Sequence, residues 1–314
     1  MAINSSGLQF SFIEEVELGT TPEVGTRYEL PASTEQNPPA FATAEIASNT
    51  KRPNRSSNGT KQGMTTGEWN VEVRAQKAAF FDALLKSALS GTWASNKLSG
   101  SDKDTSFSVI TTLKANTAVD PAPANGMYDI ASGMMVNNFE ISASAGEGVT
   151  ATFGFVGLKS EGFDSDHEAT VTAVEGSAQE FTYVDLKNVK LTGPNGVVDL
   201  GVSALSLAVG HEREIRAICG QREGVDIGTA GARKVTGEIS LYLESFDIRT
   251  DVTGQKQKLA FEFSYLGAGY RVTIPAATFQ KPTDEVSGSS VLVKLTFTGA
   301  YDDTAQTDIF IERL

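Results

Sequence analysis

In the run Leu259-Ala260-Phe261-Glu262-Phe263-Ser264-Tyr265, every second side chain is large and apolar. A strand turns successive side chains to opposite faces, so this pattern buries one face and wets the other. The pattern returns in Trp69-Asn70-Val71-Glu72-Val73-Arg74. It returns again in Val235 to Leu243, with Ile239, Leu241 and Leu243 on one face, and in Val291, Val293, Leu295 and Phe297. Phe107 to Leu113, Asn138 to Ala143, Val149 to Leu158, Phe181 to Leu191, Val198 to Val209 and Glu212 to Ile218 also read as strands. Ala145-Gly146-Glu147-Gly148 supplies a turn between two of them. The last residues, Asp308 to Leu314, form a strand-like tail that can pair with its own sheet or with a neighbour's edge. A chain patterned in this way is mainly β. One helix interrupts it: Gln76 to Leu89 sets Phe80, Leu84, Leu85 and Ala88 on one face, and Gly91 offers a stop.

Three stretches lack the alternation. The first 65 residues read as irregular: Glu14 to Gly25 as a turn or extended arm, and Thr34 to Gly63 as a long polar loop in which only Phe41 to Ile46 suits a strand. Ser160 to Glu175 is polar and acidic and reads as a linker or seam. With 314 residues and roughly 100–200 residues per domain, the expected division is 1–165 and 166–314. The halves echo each other. Thr66-Gly67-Glu68 and Thr236-Gly237-Glu238 each enter an alternating strand, each after a long Gly-containing stretch with arginines, and Val149 to Phe155 is matched by Val291 to Phe297. The preserved order is read as a duplicated domain.

The formal charge is -13, which argues against a protein that grips nucleic acid through clustered cations. The one short basic cluster is Lys51, Arg52 and Arg55, in a loop rich in Pro, Asn and Ser. Cys219 is a single cysteine, so no internal disulfide forms. Its apolar neighbours place it among buried or half-buried side chains. The start has no charged region followed by an apolar run, and no stretch approaches the ~20 apolar residues of a membrane helix. The expectation is a chain folded in a cytoplasm, with no membrane partner.

No catalytic constellation is visible, and no cofactor is expected. His167 and His211 stand apart from each other and from Cys219, whereas a zinc site needs three or four convergent ligands. No phosphate loop, dinucleotide fingerprint or nucleophile elbow occurs. Asp164-Ser165-Asp166-His167-Glu168 is the densest acidic run. It lacks the spacing of a calcium loop and reads as a solvated linker. Two carboxylates of a sugar-cleaving enzyme could hide among the many acidic residues, but nothing in the sequence picks them out.

A set of segments in order carries a resemblance. These are Glu17-Leu18-Gly19-Thr20-Thr21-Pro22, Ala44-Glu45-Ile46 with the basic loop after it, Thr66-Gly67-Glu68, Phe80 to Leu85 with Gly91-Thr92-Trp93, Ser132 to Phe139, Gly269 to Pro275 and Gly288 to Val293. Together they resemble the tail tube, or major tail, proteins of long-tailed bacteriophages, in the longer branch of that family. The resemblance implies tandem β-sandwich or barrel-like tube domains, one helix packed on the first domain, and long loops between rings. It implies copies closing into rings through sheets shared across subunits: three copies of a two-domain chain, or six of a one-domain chain. It also implies stacking around a tape-measure protein, contacts with tail terminator and distal tail proteins, and passage of double-stranded DNA without specific binding. Acidic strand positions then suit the lumen wall, and Glu68, Glu72 and Glu238 are the candidates. Lys51, Arg52 and Arg55 are candidates for contacts between rings. A β-sandwich adhesin or decoration protein is the competing reading.

Overall fold

The computed structural model describes residues 8–31, 36–50, 59–113, 127–164, 170–174, 179–194, 196–242, 256–287 and 290–314. Strands dominate. The first half supplies β1 (Leu8–Glu14), β2 (Val24–Leu30), β3 (Ala40–Ala47) and β4 (Thr60–Arg74), then α1 (Ala79–Ala88). After the helix come β5 (Trp93–Ala94), β6 (Lys97–Ser99), β7 (Phe107–Leu113), β8 (Met127–Ser144), β9 (Thr150–Gly157), β10 (Lys159–Asp164) and β11 (Thr170–Val174). The rest forms β12 (Leu186–Gly193), β13 (Gly196–Asp199), β14 (Val202–Gly210), β15 (Arg213–Arg216), β16 (Asp226–Thr229), β17 (Lys234–Tyr242) and β18 (Lys256–Tyr265). It closes with β19 (Ala268–Phe279), β20 (Thr283–Ser287), β21 (Ser290–Gly299) and β22 (Phe310–Arg313).

The alternating segments assemble into one antiparallel run in the order β3-β4-β9-β8-β14-β17-β21-β20. Its inner face carries Val71, Phe153, Phe139, Leu207, Ile239 and Leu295, all buried. In the first half a layer ordered β10-β8-β7-β1-β2-β11 closes over that face. In the second half the cover is β13-β12-β18-β19-β22-β6-β5. Two long strands turn the corners between layers. β8 pairs with β7 and β10 before Met135, and with β9 and β14 after it. β19 pairs with β18 over most of its length and with β21 at its end.

The same succession of partners occurs twice. β3 pairs with β4, β4 with β9, β8 with β7, β7 with β1 and β1 with β2. Likewise β14 pairs with β17, β17 with β21, β19 with β18, β18 with β12 and β12 with β13. The repeated Thr-Gly-Glu has a steric reason. A Cβ on Gly67 would lie 2.4 Å from the Phe41 ring, and one on Gly237 would lie 2.4 Å from the Phe297 ring. Each glycine lets an aromatic ring lie flat across its strand.

A continuous core joins the halves. The Phe81 ring centroid on α1 is 5.9 Å from that of Phe153 and 5.6 Å from that of Tyr270. Asp82 then accepts a hydrogen bond from Tyr270 Oη at 2.6 Å, with Lys77 and Arg313 each at 3.1 Å from its carboxylate. The helix expected on the first half therefore packs there and is also clamped by the second. Burial raises the Tyr270 phenol well above its usual range, with Asp82 adding to the shift, so it stays a donor.

Several expectations are corrected. The helix begins three residues later than read, because Ala75 N–H still bonds Val149 O and Gln76 bridges Glu180. Its left-handed stop is Ser90, at φ 46°, and not Gly91. Gly91 is needed for space, since a Cβ there would sit 2.4 Å from Ser99 O. The first 65 residues are not irregular: β1, β2, β3 and the start of β4 lie there. β1 does alternate, with Leu8, Phe10 and Phe12 on one face, and its other face is covered as well. Phe10 and Phe12 enter the main core, while Ile13 packs with Ile110 and Ile130. The stretch read as a linker, 160–175, contains most of β10 and all of β11, and β11 runs parallel to β2. The long loop 37–63 is largely a hairpin, since Ala47 still pairs with Thr60.

Candidate functional site: the open face of the eight-strand run

The face opposite the core is set by the same alternation. On β4, Trp69, Val71 and Val73 point inward, so Glu68, Asn70, Glu72 and Arg74 point out. Cross-strand partners share a face. One row across the run therefore reads Glu72, Thr152, Glu140, Ala208, Thr236 and Thr298. The next reads Arg74, Thr150, Ser142, Ser206, Glu238 and Thr296. These are small, polar or acidic side chains, with no large apolar group in either row.

Glu68, Glu72 and Glu238, singled out from sequence, thus lie on one face of one continuous sheet, although they come from different halves. Glu140 and Glu285 join them. Glu140 was legible, because it stands between Phe139 and Ile141 in a segment already read as a strand. Glu285 was not, because Thr283-Asp284-Glu285-Val286 has no apolar alternation.

The carboxylates differ in environment. Lys294 lies 2.7 Å from Glu285 and 3.4 Å from Glu238. The hydrogen bond to Glu285, helped by the charge of Glu238, raises the Lys294 ammonium above its usual pKa, so it stays charged and offsets both. Arg74 turns to Gly148 O and Thr150 Oγ1. Among the described residues, Glu68, Glu72 and Glu140 make no ion pair. The first-half side of the face is therefore the more negative one.

The run ends in β3 and β20. Among the described residues, β3 pairs only with β4 and β20 only with β21. Past Ala40 the edge of β4 is finished by a side chain: Gln36 Nε2 donates to Asn70 O at 2.6 Å, and Gln36 Oε1 accepts from Glu72 N–H.

The remaining sequence candidates fall elsewhere. Lys51, Arg52 and Arg55 lie outside the described residues, as do His167 and the acidic residues around it from 165 onward. Cys219 is exposed, contrary to expectation, because its apolar neighbourhood leads into the turn of the β15–β16 hairpin, where Ile218 is exposed too. His211 is buried beside the C-terminus of α1, with Nε2 2.8 Å from Ala88 O. Glu15, also buried, accepts from Gly19 N–H, Gly133 N–H, Ser106 Oγ and Ser108 Oγ at 2.7–2.8 Å. With four donors on one carboxylate, it ties the turn after β1 to β7 and β8. Trp69 and Trp93 donate to Asn37 O and Asp82 O.

Among the described residues, no three His, Cys, Asp or Glu side chains are placed to hold a metal ion, and no helix is long and apolar enough to cross a membrane. A long sheet with a polar open face and an edge strand at each end belongs to a structural protein built from β layers. Residues 5–305 match the family model described as phage tail tube protein, and the chain belongs to that family. It is thus a structural component of the phage tail, in a family whose members assemble with themselves and with other tail proteins. No curated protein matches the chain.

Proposed function

We propose that copies of this chain close into rings that stack as the tail tube, with the open face of the eight-strand run forming the lumen wall for DNA. The observation that carries this reading is the face itself, which runs across both halves and presents Glu72, Glu140 and Glu238 among small side chains, with Glu68 and Glu285 at its flanks beside the larger Val156 and Leu292. Like charge keeps phosphates off the wall. Screening limits the effect to about 8 Å at physiological salt, so it prevents sticking and does not drive movement.

The repeated succession of strand partners supports two tube domains per chain and so a ring of three copies over a ring of six. Because β11 pairs with β2, we place the seam after Val174 and not at 165/166. The β3–β4 hairpin beyond Gly67 extends past the last residue of β9 that pairs with β4, and serves as the arm toward the next ring. Lys51, Arg52 and Arg55, which fall between Ala47 and Thr60 in the sequence, are the proposed contacts between rings. Stacking proceeds around a tape-measure protein, between distal tail and terminator proteins, in the cytoplasm of the bacterial host.

The test replaces Glu68, Glu72 and Glu140 together with Lys. Tubes of normal length should form in negative-stain images, because none of the three makes an ion pair among the described residues. DNA ejection from the resulting particles should slow severalfold, more at low salt than at high. Unchanged ejection at low salt would show that this face does not line the channel.

A further inference from the structure

The chain contains one joint between its two sets of strands, and its two outer strands are the counterparts of that joint. Inside the chain β8 pairs with β14: Ile141 stands opposite Leu207, and Glu140 opposite Ala208. The Leu207 counterpart follows from Thr-Gly-Glu. Gly237 pairs with Leu207 and Gly67 pairs with Phe41, so β3 corresponds to β14 and Phe41 to Leu207. The Ile141 counterpart takes three steps. Trp69 and Ile239 follow the two Thr-Gly-Glu triplets and pair with Phe155 and Leu295, so β9 corresponds to β21. Ala151 therefore corresponds to Val291, which corrects by two residues the sequence match of Val149 with Val291. Ala151 pairs with Ile141 and Val291 pairs with Val286, so β20 corresponds to the end of β8 and Val286 to Ile141. The same mapping carries Glu140 onto Glu285 and Ala208 onto Ala42.

We infer that β20 of one copy takes β3 of the next as an antiparallel partner, with Val286 opposite Phe41 and Glu285 opposite Ala42, the register of the internal β8–β14 joint. This rests on the ring reading above and specifies its contact. Exposure agrees. Val286 is 77% exposed where its counterpart Ile141 is 4%, and β3 is exposed at every residue except the half-buried Phe41. Seating β3 would cover Val286 as Leu207 covers Ile141. It would also leave the eight-strand run without an open edge in the ring, which removes a template for unwanted pairing. The contact is heterologous, one patch on a different one, as ring closure requires. Glu285 then continues the open face across the joint, as Glu140 does within the chain.

The experiment pairs Phe41→Cys with Val286→Cys in a Cys219→Ser background, so the exposed native thiol takes no part. Facing residues in an antiparallel pair have Cα atoms about 4.5–5.5 Å apart, within disulfide range, whereas a partner two residues out of register is about 7–8 Å away. Oxidation of assembled tubes should convert most of the protein into a covalent ladder on non-reducing gels. It should end at three subunits for a three-copy ring and at six for a six-copy ring. Each single variant should stay monomeric, and Thr43→Cys with Val286→Cys should link at least several-fold less. Should the first pair fail to assemble when reduced, Ala42→Cys with Glu285→Cys reads the same register from the other face. Tubes that form without linking, or that link better through Thr43, would overturn the register and leave the ring reading standing. Protein that forms neither rings nor tubes in any variant or in the wild type would overturn both.

Discussion

The two halves share their strand order but differ in one connection, the link between β3 and β4 and its counterpart between β14 and β17. In the first half this link projects: β3 and β4 stay paired out to Ala47 and Thr60, and Gly67 is the first residue of β4 to pair with β9. In the second half it folds down into the β15–β16 hairpin. Ile215 and Ile227 pack on Met135, Val156 and Leu158 of the first half. The folded link also braces the projecting one, since Thr65 N–H donates to Arg222 O and Arg222 Nη1 reaches Gln62 Oε1. The same link in the strand order thus projects in one half and folds down as a strut in the other. Sequence composition separates them only weakly, because both are polar, Gly-containing and supplied with arginine. The difference lies in the apolar pair Ile215 and Ile227, which gives the strut something to bury.

The largest effect should come from removing the arm. Replacing residues 48–59 with Asn-Gly joins Ala47 to Thr60 through a two-residue hairpin turn. The subunit should fold with unchanged circular dichroism and melting temperature, since the described residues of that stretch, 48–50 and 59, are exposed. Tube formation should fall by more than tenfold, as judged from tube number and length in negative-stain images. A variant that still makes full-length tubes would show that the projection is not a contact between rings.

Next in size is the strut. The Arg213 side chain is fully buried at its base, where Nε donates to Val136 O, and Nη2 to Ser90 Oγ and to Asp104 Oδ1 at 2.7 Å. Burial pushes the Asp104 carboxyl up, but the bonds from Arg213 and Ser90 outweigh this, so it titrates below its usual value. Arg213→Ala leaves Val136 O and Ser90 Oγ without their donor, and a buried polar group left without its partner costs about 1–3 kcal/mol. Urea denaturation should register a loss of that order. Asp104→Asn should lose less, because Asp104 is 35% exposed and water replaces part of the bond. Equal losses would mean that Arg213 acts through this pair alone.

These features show how far the sequence could be read. The strands with one wet face were legible, from Trp69 to Arg74 through to Val291 to Phe297, because alternation is a local signal. β1 alternates too, in Leu8, Phe10 and Phe12, until Ile13 breaks the pattern because the other face is also buried. β10 was not legible, because its polar residues resemble a linker until its partner is known, and β11, though it is the β-branched run Thr170 to Val174, is short and sits against an acidic segment. Three carboxylates of the open face were found from sequence, and Glu140 could have been. That Glu72 and Glu238 share one sheet depends on β8 pairing with β14, a long-range choice that no local pattern records. The first strand of the strut was legible in Glu212 to Ile218, but its packing was not: Arg213 is a surface residue by composition and becomes a buried one only through Asp104, Ser90 and Val136.

The smallest effect concerns the pH response of the strut, and its sign follows from His211. Burial lowers the pKa of this imidazole below its ordinary 6.5, the Ala88 carbonyl opposes that, and Arg213 and Arg233 lower it further while Asp104 raises it. A carbonyl only accepts, so Nε2 carries the hydrogen in the neutral ring. In the folded state the ring stays neutral at a pH where the unfolded chain has already bound a proton. The stabilising contribution is therefore full above pH 6.5 and declines as pH falls from there through the lowered folded value. His211→Gln keeps a donor near Ala88 O but cannot titrate. The variant should be less stable than the parent at pH 8 and should lose less on acidification from pH 7 to pH 5, so the two stability curves converge. Parallel curves would place the acid sensitivity of this region elsewhere. Asp104 is the remaining candidate, and because its carboxyl is also held below its usual value, its contribution persists down to the carboxylate range and fails only as pH drops through the folded-state value. The two groups thus fail in sequence, the imidazole before the carboxylate. The arm, which has no such buried groups among its described residues, should keep its behaviour across the same range.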